Sequence, residues 1–182
     1  MGGISLYRNI LCMTAVVMAL LMGTALAAPR AMTVDDAVIA GIAPGNDLSY
    51  VWSIYGEPDG EKTKRTGNYP THLVDYYGEG FVITYDIFGG AQNPLIQSIE
   101  STNAALVMPS GIHVGMKIAE VQQIFSDIQE PFRRDEKNNQ YTSPRFYVEV
   151  SDEKKGIRTV VFDVDKKGVI QKIFIYDKYG ID

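Results

Sequence analysis

Gly41-Ile42-Ala43-Pro44-Gly45, followed by Val51, Ile54 and Tyr55, returns later in the chain as Gly111-Ile112-His113-Val114-Gly115, followed by Val121, Ile124 and Phe125. The echo reads as a tandem duplication. In each copy a glycine turn precedes apolar residues spaced by three and four, the spacing of one helix face. Asp47 is placed to cap the first helix, with Leu48, Val51, Ile54 and Tyr55 as its stripe and Gly56 and Pro58 at its end. Ile118, Val121, Ile124 and Phe125 make the second stripe, with Pro131 beyond it.

After each helix the apolar period changes from 3.6 to 2, which marks strands. In the second copy Phe146, Val148 and Val150 alternate with Tyr147 and Glu149, and Val160, Phe162 and Val164 alternate with Val161 and Asp163. A third strand follows over 169–176. Short turns at 152–156 and 166–168 join the three into an antiparallel meander. The first copy predicts strands at 73–77, 81–88 and 95–101. Tyr85-Asp86-Ile87 is matched to Phe162-Asp163-Val164, and Ile96-Gln97-Ser98-Ile99 to Ile170-Gln171-Lys172-Ile173.

Ahead of the first copy, Thr33 and Asp36 form a capping-box pattern that predicts a lead-in helix over 34–40. The expected fold is therefore α+β: two tandem helix-plus-antiparallel-meander repeats, 28–103 and 104–182. Their strands form a continuous curved sheet with helices on one face and the other open to water.

The first 27 residues are set apart from that fold. Arg8, an apolar run over 10–22 and Ala25-Leu26-Ala27 have the layout of a cleavable signal peptide, so the protein is expected to be exported to the periplasm or beyond. The apolar run falls short of the roughly 20 residues of a membrane span, and no later stretch approaches that length, so no transmembrane segment is expected in the mature chain. Cys12, the one cysteine, leaves with the leader. Disulfides, thiolate metal sites and a cysteine nucleophile are thereby excluded from the mature chain.

Formal net charge is −5. Basic runs are answered locally, Lys62, Lys64 and Arg65 by Asp59 and Glu61, and Arg133 and Arg134 by Asp135 and Glu136, and both runs read as solvated loops. Nucleic acid is not an expected partner, because polyanion binders gather their cations on one face.

The pattern Gly-Ile-x-x-Gly-Met with a later Val, then an aromatic near Gly-x-Pro and a meander, resembles the SmpA/OmlA (BamE) and β-lactamase-inhibitor-protein-like (BLIP-like) group. Gly111-Ile112-His113-Val114-Gly115-Met116 with Val121 carries the start of that pattern, and Tyr55-Gly56-Glu57-Pro58 its end. The resemblance implies a curved sheet that presents a concave, aromatic-bearing face to a protein partner. The mature chain has neither the acylated cysteine of the envelope lipoproteins nor the disulfides of the secreted inhibitors.

Residues able to carry catalysis are sparse. His72 and His113, the only histidines, have no partner at ligand spacing and are assigned structural or exposed roles. Asp163-Val164-Asp165-Lys166-Lys167-Gly168 resembles half of a calcium loop, but Lys167 occupies a ligand position, so the segment reads as a hairpin turn. No nucleophile elbow, phosphate loop or His-Glu-x-x-His is present. No enzyme, cofactor or metal site is expected.

Aromatic residues supply the candidate binding positions. Tyr50 and Trp52 match Glu120 and Gln122 in the other copy, which places them on the outer side of their helix, either as binding residues or beneath the lead-in helix. Tyr147, Phe174 and Tyr176, with Lys172, are assigned to the open sheet face. The expected function is a noncatalytic module binding a protein or cell-envelope component. The alternatives are a secreted hydrolase inhibitor that uses residues 59–70 as a plug, and a small enzyme.

Overall fold

The computed structural model describes residues 28–88, 90, 92–129 and 145–178. The expected leader, Pro131 and the charge run 133–136 lie outside these residues. Two helices, α1 (Leu48–Tyr55) and α2 (Ile118–Ile124), accompany seven strands. The strands are β1 (Gly60–Thr66), β2 (Tyr69–Tyr77), β3 (Phe81–Asp86), β4 (Leu95–Ser101), β5 (Arg145–Asp152), β6 (Gly156–Val164) and β7 (Ile170–Asp177). All are antiparallel in one sheet of order β1-β2-β3-β4-β7-β6-β5.

This architecture overturns the expected α+β fold of two helix-plus-meander repeats. The helices have only eight and seven residues, while the strands run from six to nine, so the chain is mostly β. The strands do form one continuous sheet, joined at its middle by β4 and β7, over one apolar cluster that runs from Met32 to Ile175. Gly56 ends α1 at φ 75°, and Phe125 ends α2 in extended backbone.

The lead-in helix over 34–40 is also corrected: this stretch is a series of turns. The Thr33 N–H does donate to Asp36 at 2.9 Å, as in a capping box, but the reciprocal half is missing: Thr33 Oγ1 donates to the same carboxylate at 2.8 Å, and the Asp36 N–H goes to the Thr33 carbonyl instead. Asp36 is simultaneously held by the Arg30 guanidinium at 2.6 and 2.7 Å, which ties the segment to its own N-terminal side. A further correction concerns 59–70, read as a loop: it forms β1 and the start of β2. Gly-Glu-Lys-Thr-Lys-Arg-Thr carries no apolar residue, so no periodicity betrays this edge strand.

The echoed glycine turns have a definite backbone job. Gly45 N–H donates to Ile96 O and Gly115 N–H to Ile170 O, both at 2.8 Å. Each turn is thereby tied to the start of the strand, β4 or β7, that meets at the seam. Both glycines adopt positive φ, 90° and 99°, which strains a residue bearing a Cβ. Ile42 and Ile112, inside the echo, are fully buried.

Across the sheet the order is palindromic about the β4–β7 seam, leaving β1 as the strand without a counterpart among the described residues. Ile99 faces Ile175, and Glu100 faces Phe174. Register also revises the match between halves: Tyr85 pairs with Ile96 and Val164 with Ile170, so Tyr85 corresponds to Val164 rather than Phe162. Bulges between Thr84 and Tyr85 and between Asp163 and Val164 sit at corresponding positions, so they preserve the match, and the shift comes from the longer loop between Tyr85 and Ile96.

One sheet face is covered by α1, α2 and the lead-in. Its core side chains include Phe81, Ile83, Tyr85, Ile96, Ile99, Val160, Phe162, Ile173 and Ile175. Buried Arg158 of β6 rises through this layer and donates to the carbonyls of Val34 at 3.0 Å, Ala37 at 3.5 Å and Pro44 at 2.9 Å. These bonds satisfy carbonyls of the lead-in and of the first glycine turn that have no helical ladder to join. Arg158→Ala leaves those acceptors without their donor and is expected to destabilise the protein by about 3 kcal/mol. Urea unfolding measures the loss; a change below about 0.5 kcal/mol, the scale of an ordinary surface substitution, contradicts the clamp.

Candidate functional site

On the uncovered face the alternation of strands lines up side chains in rows. One row runs Tyr147, Val161, Phe174, Glu100, Val82 and Tyr76 from β5 to β2. It reads nearly the same from either end, tyrosine then valine, with Phe174 and Glu100 at the centre. The next row runs Glu149, Thr159, Tyr176, Ser98, Thr84, Val74 and Lys62. Among the described residues no helix packs over these rows.

The face is nevertheless concave. Val74 and Thr159 are only 2% and 3% exposed, because the twisted sheet curls its own neighbours over them and three bulges add bend. Two adjoining hollows result, of about 580 Å³ on the β1–β4 side and about 830 Å³ on the β4–β5 side. Both are lined by Glu100 and Phe174, the central pair of the seam.

The larger hollow has an aromatic floor. Phe174 and Tyr176 lie with ring centroids 5.2 Å apart, and Tyr147 and Val161 adjoin them. Around the floor the charges are mutually paired. Arg145 Nε is 2.7 Å from Asp163, Lys172 Nζ is 3.6 Å from Asp163 and 3.3 Å from Glu100, and Lys178 Nζ donates to Glu149 at 2.9 and 3.0 Å. Half-exposed pairs of this kind contribute little stability. Their effect is to hold long side chains at the rim and leave the aromatic surface open.

The smaller hollow differs in chemistry. Lys64, His72, Thr84, Gln97 and Ser98 line it beside Val74, Tyr76 and Val82. Lys62 and Lys64 lie on the same face through their register with Val74 and His72, and no ion pair or hydrogen bond engages either lysine among the described residues.

The structure therefore gathers Tyr147, Phe174 and Tyr176 at one place, together with Lys172. Tyr50 and Trp52 are on the opposite, helical side of the sheet and share no surface with them. They are 44% and 40% exposed, so the lead-in does not cover them, although Tyr50 Oη donates to Gly41 O at 3.3 Å. His113 Nδ1 lies 3.0 Å from Gly111 O within its turn, whereas His72 lines the smaller hollow. Asp165 Oδ1 accepts from the N–H groups of Lys167 and Val169 at 2.8 and 2.9 Å, which is turn chemistry. No cluster of three or more metal-ligating side chains occurs among the described residues.

Sequence reading missed Asp75. It projects into the covered face of β2, fully buried beside Tyr77 and Tyr85, and neither carboxylate oxygen has a hydrogen-bond partner among the described residues. Burial, then the charge of Glu61 on β1, raises its pKa to about 6, which the Trp52 side chain partly counteracts. Burial, then the charge of Asp75, raises that of Tyr77 to about 12. Leu73-Val74-Asp75-Tyr76-Tyr77 alternates ambiguously, so only the register reveals which side chains go inside.

No family model, curated protein or solved structure matches the chain. No helix among the described residues is long and apolar enough to cross a membrane.

Asp75 gives a pH test of the covered layer. Its folded pKa lies above its unfolded value, so its contribution favours folding most below about pH 4 and is lost as pH rises through 6. Asp36 and Asp47, held below the usual carboxylate range chiefly by hydrogen bonds from Arg30 and Ser49, act with the opposite sign and at lower pH. Asp75→Asn is expected to remove a fall in stability of about 2–3 kcal/mol between pH 4 and 7. Denaturant midpoints measured across that range check this; an unchanged slope contradicts it.

Proposed function

We propose that this chain is an exported, noncatalytic binding module of the bacterial envelope, and that it engages a protein partner through the open face of its sheet. The single observation behind the reading is the clustering of Tyr147, Phe174 and Tyr176 on the floor of the larger hollow with the surrounding charges paired. Contiguous aromatic surface of this kind is unusual on a face that binds nothing. Aromatic residues in a desolvated centre with a polar rim are also what protein interfaces use for affinity. The resemblance of Gly111-Ile112-His113-Val114-Gly115-Met116 to the BamE-like and BLIP-like group, and the leader-like first 27 residues, support the same reading.

A second reading, inhibition of a secreted hydrolase, draws support from the β1–β2 hairpin, which projects at the sheet edge with Tyr69 72% exposed beside its turn. In that version the hairpin tip enters an active site.

Phe174→Ala and Tyr147→Ala, each combined with tagged capture from the native envelope or culture fluid, separate the readings. Each is expected to reduce a specific co-purifying protein at least tenfold, the effect of losing one interface hot spot. Circular dichroism should be unchanged. Loss of capture with Tyr69→Ala but not with the other two favours the hairpin instead.

A further inference from the structure

The open face is chemically polarised, and its polarity specifies what it takes. At the β1 end stand Lys62 and Lys64, which have no ion-pair partner among the described residues, with His72 beside them. At the β7–β5 end the aromatic floor is uncharged, and the acids near it, Glu100, Asp163 and Glu149, are already neutralised by Lys172, Arg145 and Lys178. Asp86, across from His72, accepts the Phe88 N–H at 2.8 Å.

β1 creates this asymmetry. The rest of the sheet is palindromic, so the aromatic row alone offers similar ends to a partner, and among the described residues the added strand supplies this face with lysines that stand outside any ion pair, two against the single carboxylate of Asp86. A chain whose net charge is −5 thus carries positive charge on one end of its concave face. Two lysines displayed there attract carboxylates, whereas a basic partner meets repulsion at that end and, among the described residues, acids already paired at the other.

We propose that the open face receives an extended acidic segment of a partner protein, its carboxylates over Lys62 and Lys64 and an apolar side chain on Phe174 and Tyr176. The proposal rests on the open face being the binding surface and adds the chemistry and orientation of the occupant. Lys62, Val74, Thr84, Ser98 and Tyr176 lie in one row, four strand spacings from end to end. That distance is about 19 Å, the length of about six extended residues. Ser98 and Thr84, between the two ends, offer hydroxyls to the backbone of such a segment.

The test uses the isotopically labelled chain and three synthetic peptides. One has two aspartates, a three-residue Ser-Gly-Ser spacer and two phenylalanines; the second replaces aspartate with lysine, and the third replaces phenylalanine with serine. The first peptide is expected to shift amide resonances of Lys62, Lys64, Ser98, Phe174 and Tyr176, and to bind at least tenfold more tightly than either relative. Lys62→Glu combined with Lys64→Glu should reverse the preference between the acidic and basic peptides. Raising salt should weaken the acidic peptide, since exposed charges are screened.

Equal binding by the lysine peptide, no shifts at millimolar peptide, shifts confined to Tyr50, Trp52 and Ile54, or capture of the protein by anionic lipid vesicles without peptide binding would each overturn the proposal. Partner capture from the envelope tells the two levels apart. If Phe174→Ala abolishes capture while the double charge reversal leaves it intact, the acidic assignment fails and the open face stands. If neither variant reduces capture, both fail.

Discussion

The antiparallel pairing of β4 with β7 is the constraint on which the rest of the molecule depends. Four residue pairs, Ser98 with Tyr176 through Ser101 with Ile173, fuse two runs of strands into one sheet. Ile99 and Ile175 of the seam are fully buried on the covered face. On the other face the same pairing brings Glu100 to Phe174 and within reach of Lys172, so the two hollows share a wall made by residues far apart in sequence. Two separate meanders would each leave an edge of unpaired backbone groups here.

The two faces then follow different chemistry. The covered face is stabilised by burial of isoleucines and aromatics, and its cover contains little regular structure. Short helices and a turn-rich lead-in are held by individual bonds: Asp47 Oδ1 accepting the Tyr50 N–H at the start of α1, the glycine turns donating to β4 and β7, and Arg158 reaching two lead-in carbonyls and that of Pro44. Asp75 is a cost within that layer, a carboxyl placed where its ionised form is poorly solvated. Among the described residues the open face has no such cover, and its paired rim charges and half-buried aromatics form the kind of surface that a partner can desolvate.

How much of this was legible depended on whether a local pattern carried it. β4 matches its expected span of 95–101 at both ends because Ile96 and Ile99 lie between turn residues, and α1 matches because Asp47 and Gly56 mark its limits. That Tyr147, Phe174 and Tyr176 share one face of the sheet is readable from alternation alone. β1 escaped because an edge strand exposed on both sides needs no apolar residue, and with it went Lys62 and Lys64 as groove residues. The lead-in helix failed because a capping pattern does not ensure that the following residues propagate a helix. The Glu100–Lys172 pair and the burial of Asp75 follow from strand register, a tertiary property that the period of the sequence leaves open.

The most direct measurement of the central claim, that the open sheet face is the working surface, is site-specific photo-crosslinking in the native cell. A photoreactive residue is placed at Phe174 in one strain, and at Ile54 on the opposite, helical side in another. The account predicts a discrete protein adduct from position 174 and none from position 54. An adduct from position 54 alone would contradict it.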